Sequence, residues 1–324
     1  MALSGADFKY IRDLVLETTG ILLGDDKYEF VVKRVDPIAL ENGFDDIGDL
    51  IDQLQMSPTS KLHTGIIDAV IEDETMFFRD FSSYKFLRHE VGKTLAEQRS
   101  TLGKLNIWCA ACSSGQEAYS IAILVKDAMP QFKNWEINIL ATDISSALIR
   151  RAKEGSFSQT EVNRGLPASL LIKHFTREGI IWKIKDQHRK SVKFEIFNLM
   201  DTWEDLPIFD IILIRNVLYY FEPRNQRRIL KKLKAHMHED SYLFLSAEER
   251  PIEQDFFSLR SEEKDACFQL KSAAERAAEK IEAERAKVEA RVETPRVNDG
   301  IEDLDSEHHH HEDLIENVEA DEDA

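Results

Sequence analysis

One stretch constrains this chain more than any other: Ile107-Trp-Cys-Ala-Ala-Cys-Ser-Ser-Gly-Gln-Glu-Ala-Tyr-Ser-Ile121. Leu105, Ile107 and Trp108 supply the apolar run of a buried strand. Ala110 to Gly115 are all small, so the backbone can approach a ligand closely. From Glu117 the period becomes helical, with Tyr119, Ile121, Ala122, Leu124 and Val125 able to share one buried side before Pro130 marks the stop. A strand, a small-residue turn and a helix N-terminus form the physical recipe for a nucleotide-type cofactor site. No Gly-Lys-Ser/Thr follows the turn, and only Gly115 of the dinucleotide glycine fingerprint is present. On these residues alone, a cofactor turn and a plain strand-to-helix turn both stay open.

The rest of the chain supplies the context. Ile137–Asp143, Val192–Asn198, Phe209–Asn216 and Tyr242–Leu245 read as strands, with helices over Ile144–Gly155 and Pro223–Met237. Phe209–Asn216 is apolar almost throughout, as a central parallel strand should be. This alternation argues for an α/β sheet. An acid closing the second strand, here Asp143, can bind ribose hydroxyls in doubly wound folds, or it can simply cap the next helix. The segment 157–193 interrupts the alternation. Gly179–Lys185 and Ser191–Phe197 are expected to pair as antiparallel strands around Asp186-Gln-His-Arg, in a small inserted β-subdomain.

Residues 1–75 read as an all-helical domain. Phe8, Ile11, Leu14 and Val15 repeat at helical spacing up to Thr18-Thr19-Gly20, and further amphipathic stretches run near 28–41, 45–54 and 60–71. The α/β domain follows over 76–271. Residues 272–297 read as a charged helix or linker, and 298–324 as an acidic, disordered tail. The chain of 324 residues carries a net charge of -18, about -12 of it after position 271. That balance argues against a general nucleic-acid binder. No 18-residue apolar run and no basic-then-apolar leader is present, so neither a membrane span nor secretion is expected. Cys109, Cys112 and Cys267 make an odd set that fits a reducing cytoplasm; the Cys-x-x-Cys lacks further ligands nearby, so no metal is expected. His308–His311 can hold a transition metal loosely, with an incidental polar tract as the plainer reading.

Five segments then fall in one order: Glu74-Thr-Met-Phe-Phe-Arg-Asp80, Cys112-Ser-Ser-Gly-Gln-Glu-Ala-Tyr-Ser120, Ala141-Thr-Asp-Ile144, Phe197-Asn-Leu199 and Ile214-Arg-Asn-Val-Leu-Tyr-Tyr-Phe221. Together they resemble the CheR-type protein-glutamate methyltransferases, which modify chemoreceptors using S-adenosylmethionine. The resemblance covers about residues 7–271. Gln116 stands where that family has an acid, Ala118 where it has proline, and Ser246-Ala-Glu-Glu249 where it ends Gly-His-Ser-Glu.

The resemblance implies a Rossmann-like S-adenosylmethionine methyltransferase domain with a small β-subdomain insertion, preceded by an all-helical N-terminal domain. It implies a cofactor site of Asp73, Thr75, Arg79, Glu117, Asp143, Asn198, Leu199, Asn216 and Val217. Asp143 would take the ribose hydroxyls, Glu117 the methionyl ammonium, and Asn198 with Leu199 the adenine. Arg79 and Tyr220 would act as catalytic residues that orient the substrate carboxylate, although Tyr220 and Phe221 also read as plain core. The implied partner is the helical cytoplasmic domain of a chemoreceptor, with S-adenosylhomocysteine as product; a monomer is the default expectation, with the Ala-rich helix the only candidate for self-pairing. The tail after Lys271 lies outside the resemblance; it is expected to fold back on the basic N-terminal helices, to mimic a glutamate-rich substrate or to recruit another signalling protein, with a solubilising extension as the plainer reading. A glutamate acceptor is already ionised at neutral pH, so the absence of a His/Asp or Cys/His constellation is consistent with this chemistry.

Overall fold

Alternation of side chains along the strands sorts the interior into two apolar layers. The computed structural model describes residues 3–57, 60–252, 256–261 and 266–292. The strands are β1 (Lys104–Ala110), β2 (Glu136–Asp143), β3 (Ser156–Ser158), β4 (Phe175–Glu178), β5 (Ile181–Ile184), β6 (Val192–Ile196), β7 (Phe209–Ile214), β8 (Met237–Phe244), β9 (Phe257–Leu259) and β10 (Cys267–Leu270). Seven of them form one sheet in the order β6-β2-β1-β7-β8-β10-β9. Neighbours from β6 to β8 run parallel; β10 runs antiparallel to both β8 and β9. Trp108, Ile212, Ile214 and Leu243 face one layer, and Ile107, Cys109, Ile211, Leu213 and Phe244 face the other. That is the period of two expected of strands covered on both sides.

The first layer is shared with the N-terminal helices α1 (Gly5–Thr19), α2 (Tyr28–Glu41), α3 (Ile47–Met56) and α4 (Lys61–Val70). Ser4 and Asp7 form a capping box at the start of α1, and Gly20 ends it with φ 75°. The second layer receives α5 (Phe81–Phe86), a π-helical turn at Leu87–Val91, α6 (Gly92–Gln98) and α7 (Gln116–Ala128). The helices α8 (Ser146–Glu154), α9 (Gln159–Asn163), α10 (Ala168–His174), α11 (Asp186–Arg189), α12 (Pro223–Ala235) and α13 (Ala273–Val292) follow in chain order. Residues Met1–Arg276 fall into one compact unit and Ala277–Ala324 into a second. The expectations for 298–324, including His308–His311, lie outside the described residues. No helix among the described residues is long and apolar enough to cross a membrane.

The expected hairpin is corrected. β5 pairs with β3 and β4 in a separate three-stranded antiparallel sheet. β6, its expected partner, instead joins the main sheet parallel to β2, with Ala141 opposite Phe194. Asp186–Arg189 is a helical turn, not a hairpin loop. The physical reason is burial. Val192 and Phe194 need an apolar layer on one face, and the main sheet supplies it while a two-stranded ribbon does not.

Candidate functional site

The strand order reverses at β1, which lies between β2 and β7. In open α/β sheets, ligands bind beyond the carboxyl ends of the strands at such a point. A cleft of about 920 Å³, its open mouth included, lies there. Segments leaving β1 (Ala111, Cys112, Ser113), β2 (Asp143, Ile144), β6 (Phe197, Asn198, Leu199) and β7 (Arg215, Asn216, Val217) form its wall. Asp73, Thr75 and Arg79 border it from the interdomain segment, as do Glu117 from α7 and Tyr220. The structure therefore brings all ten residues singled out from the sequence to one cleft. Thr19 and Ile21, at the end of α1, also line it and carried no sequence signal.

The turn after β1 is wound tightly. Ala111, Ser113 and Gly115 all have positive φ, at 54°, 49° and 95°. A Cβ on Gly115 would sit 3.1 Å from the Ala152 Cβ and 3.3 Å from the Phe194 ring, so at φ 95° a side chain would be strained and its neighbours would also have to give by a few tenths of an ångström. The turn is pinned to β2. Cys112 N–H donates to the Thr142 carbonyl at 2.9 Å, and Ser113 N–H donates to Asp143 Oδ2 at 2.8 Å. Asp143 Oδ1 accepts the Ser145 N–H at 3.0 Å. Capping of α8 falls to Ser145, whose hydroxyl accepts the Leu148 N–H. Asp143 is 7 % exposed, and burial pushes its carboxyl up to about 6 despite those backbone donors. Each of its oxygens keeps lone-pair capacity for a further donor. Cys109 and Cys112 are free and buried, and burial pushes both thiols well up.

Arg215, to which sequence reasoning gave no role, is the hub of the opposite wall. Its side chain is 2 % exposed. It donates to Glu117 Oε2 at 3.1 Å, to Asp80 Oδ2 at 2.6 Å and to the Arg79 carbonyl at 2.9 Å. Burial raises the Glu117 carboxyl, more than Arg215 lowers it. Burial also disfavours the Arg215 charge, and Glu117 and Asp80 more than offset that. All four residues 79, 80, 117 and 215 lie in the ordered motifs, but only the fold joins them.

Glu249 is the second residue missed. It is 4 % exposed, and its carboxylate accepts four backbone N–H groups: Asn216 (2.9 Å), Val217 (2.9 Å), Leu218 (2.8 Å) and Ser246 (3.0 Å). It thereby fixes the turn after β7, where Asn216 has φ 58°. The Ser246–Glu249 segment, singled out for its departure from the family ending, retains this acid.

The interdomain segment is held from both sides. Ser113 Oγ donates to the Asp73 carbonyl at 2.9 Å, and Phe78 N–H donates to Ser120 Oγ at 3.0 Å. The Asp73 carboxylate itself lies 3.5 Å from Arg34 of α2. Asn198 donates to the Thr18 carbonyl at 2.7 Å and accepts the Met200 N–H at 2.9 Å, so its amide already ties the cleft wall to the helical domain. One amide hydrogen and one lone pair remain to it. Tyr220 donates to Glu72 Oε2 at 2.6 Å.

Chemically, the cleft offers a buried carboxylate at the end of β2 and apolar surface from Ile144, Leu148, Phe197 and Leu199. It also offers a guanidinium in Arg79 and a second carboxylate in Glu117. This donor set fits a nucleoside that carries a zwitterionic amino-acid tail, as S-adenosylmethionine does.

Comparison with known proteins agrees. The family model described as "CheR methyltransferase, SAM binding domain" matches residues 73–264, and "CheR methyltransferase, all-alpha domain" matches residues 6–70. The chain is 33 % identical over 255 residues to the chemotaxis protein methyltransferase Cher2 of Pseudomonas putida, covering 77 % of this chain and 92 % of that one. It is 33 % identical over 254 residues to chemotaxis protein methyltransferase 1 of Pseudomonas aeruginosa, with coverages of 77 % and 92 %. It is 31 % identical over 243 residues to the chemotaxis protein methyltransferase of Borreliella burgdorferi, with coverages of 73 % and 85 %.

Proposed function

Because the chain belongs to the CheR methyltransferase family and is an S-adenosylmethionine-dependent methyltransferase of chemotaxis, we propose that it methylates glutamate side chains on a chemoreceptor's helical signalling domain. The products are glutamate methyl esters and S-adenosylhomocysteine. It acts in the cytoplasm, as a monomer, and its acidic segment 298–324 recruits a further signalling protein.

When bound, the cofactor supplies an electrophilic methyl group on a cationic sulfur. Asp143 accepts the ribose hydroxyls with the lone pairs that Ser113 and Ser145 leave unused. Glu117 takes the methionyl ammonium, Asp73 and Thr75 border the same tail, and Asn216 with Val217 line the pocket. Leu199 and the remaining capacity of Asn198 flank the adenine. Arg79 orients the incoming glutamate. That carboxylate is ionised at neutral pH, so no side chain has to remove a proton. Catalysis then rests on positioning and on excluding water between two opposite charges.

The observation that supports this reading most is the Asp143 carboxylate, buried at the switch point with acceptor capacity to spare. The test has two parts. Labelled methyl groups should pass from S-adenosylmethionine to a receptor signalling fragment as base-labile esters. In calorimetric titration, Asp143→Ala should weaken S-adenosylhomocysteine by about 100-fold, the loss of two charge-assisted hydrogen bonds. Transfer to a different helical protein would move the substrate elsewhere. Tight binding with no transfer to any protein would make the chain a cofactor-sensing scaffold.

A further inference from the structure

Glu72 stands between the cleft and the helical domain with a partner on each side. Its Oε2 accepts the Tyr220 hydroxyl proton at 2.6 Å, and its Oε1 is paired with the Lys27 ammonium. Lys27 ends the short 3-10 turn Asp25–Lys27 that leads into α2. Glu72 and Tyr220 border the main cleft, and also a smaller cavity beside it that Ile21, Leu23, Lys27 and Val70 close. The backbone holds the tyrosine from the same direction. Leu22 N–H donates to the Tyr220 carbonyl at 2.8 Å, and Ile21 forms a β-bridge with Phe221.

A phenol has one proton and two lone pairs. Burial works against the Glu72 charge, but Lys27 and Tyr220 more than offset it, so its carboxyl titrates below the usual range. Burial, the bond to Glu72 and the neighbouring Tyr219 hydroxyl push the Tyr220 hydroxyl up. At neutral pH the proton therefore stays on the tyrosine and points at Glu72. Tyr219 lies beside the same hydroxyl, with ring centroids 4.4 Å apart; with the proton committed to Glu72, what the phenol has left for the cleft is lone-pair capacity. Such an oxygen cannot donate to a substrate carboxylate, but it is attracted to positive charge. Arg79 donates to the Glu74 carbonyl at 3.3 Å and keeps other guanidinium hydrogens, so it is the group equipped to take the carboxylate.

We propose that Glu72 is a positioning residue for methyl transfer: it accepts the Tyr220 O–H hydrogen bond, so that the phenol offers lone pairs to the cleft in which a cationic cofactor would sit, and Lys27 holds it in place from the helical domain. This rests on the methyl-transfer reading of the cleft, and it reassigns Tyr220 from the substrate carboxylate to the cofactor's charge.

The experiment needs no receptor. The affinities of full-length protein for cationic S-adenosylmethionine and neutral S-adenosylhomocysteine are compared by calorimetry without an acceptor. Tyr220→Phe, which deletes the lone pairs, should shift the ratio against the cationic ligand by about fivefold. Glu72→Gln, which can turn an amide N–H to the phenol and reverse its proton, should do the same, and Lys27→Met should do so more weakly. Glu72→Gln in the Tyr220→Phe background should add nothing, because Glu72 acts through the hydroxyl. The inference is overturned if Glu72→Gln weakens both ligands equally, which is a structural effect. It is also overturned if its effect on the ratio persists without the hydroxyl, which is a direct charge effect. A shifted ratio with no transfer to receptor would keep this inference and sink only the choice of substrate. With a methylated receptor as readout, Glu72→Gln should lower kcat while leaving KM for the receptor within about twofold.

Discussion

At the level of single residues, Asp143 carries opposite consequences for folding and for binding. Its carboxyl is raised from 3.8 to about 6 in the fold, chiefly by burial. The folded state therefore holds a proton that the unfolded chain has released between those values, and stability falls as pH rises through the window. A rise of that size corresponds to about 3 kcal/mol once both states are ionised. Asp143→Asn carries no such penalty. Measured by denaturant unfolding without ligand, the variant should gain on the wild type by up to about 3 kcal/mol between pH 4 and pH 7. Ligand affinity should move the other way in the wild type, weakening as pH falls through about 6, because the protonated acid has lost acceptor capacity. Affinity that stays flat across that range would separate Asp143 from the ribose. Asp143 was legible in the sequence, since an acid closing a second strand has a stereotyped place. Arg215 was not, because a buried arginine inside an apolar run is defined by Glu117 and Asp80, which are distant in sequence.

At the level of elements, strands and helices followed their periodicity closely, whereas the partners of short strands did not. β1, β2, β7 and the helix α7 sit where apolar period and turn residues place them. β5 and β6 adjoin in sequence yet belong to different sheets. Pairing is decided by which surface buries Val192 and Phe194, and local sequence carries no record of that surface. The turn after β7 shows the same dependence. Its positive-φ Asn216 and its neighbours donate to Glu249, which follows β8. Glu249→Ala would leave three buried donors and the part-buried Asn216 N–H without their acceptor, and the turn should lose about 3–5 kcal/mol. Glu249→Gln keeps one oxygen and should cost roughly half as much. Chemical unfolding of the three proteins checks the order, and S-adenosylhomocysteine affinity should fall in the same sequence, since Asn216 and Val217 line the cleft.

For the whole molecule, the helical domain and the sheet are one object. Leu50, Ile66 and Val70 share an apolar layer with Trp108, Ile212 and Phe221. Thr19 and Ile21 line the cleft itself, while Asn198, Asn225 and Tyr220 reach back to Thr18, Gly20 and Glu72. Calorimetric melting of the full chain should therefore give a single cooperative transition for the body up to Arg276, and not one per domain. A chain starting at residue 76 should aggregate or bind S-adenosylhomocysteine at least tenfold more weakly, because it exposes that layer and lacks Thr19, Ile21, Asp73 and Thr75. Two resolved transitions, or an isolated domain with full affinity, would show that the shared layer is not structurally decisive.

By itself the sequence determined the main strands and helices of the sheet, where the chain turns from helical to alternating, and which ordered motifs come together at one cleft. Those properties are local: they depend on period, on small residues such as Ala110 to Gly115, and on acids at strand ends. The tertiary structure alone decided who meets whom. It set Arg215 against Glu117, Glu249 beneath Asn216, and Glu72 between Lys27 and Tyr220. Such contacts join residues up to 148 positions apart. The contacts of Arg215 and Glu249 are strengthened by burial that exists only once both apolar layers have closed, so no window of the sequence can contain them.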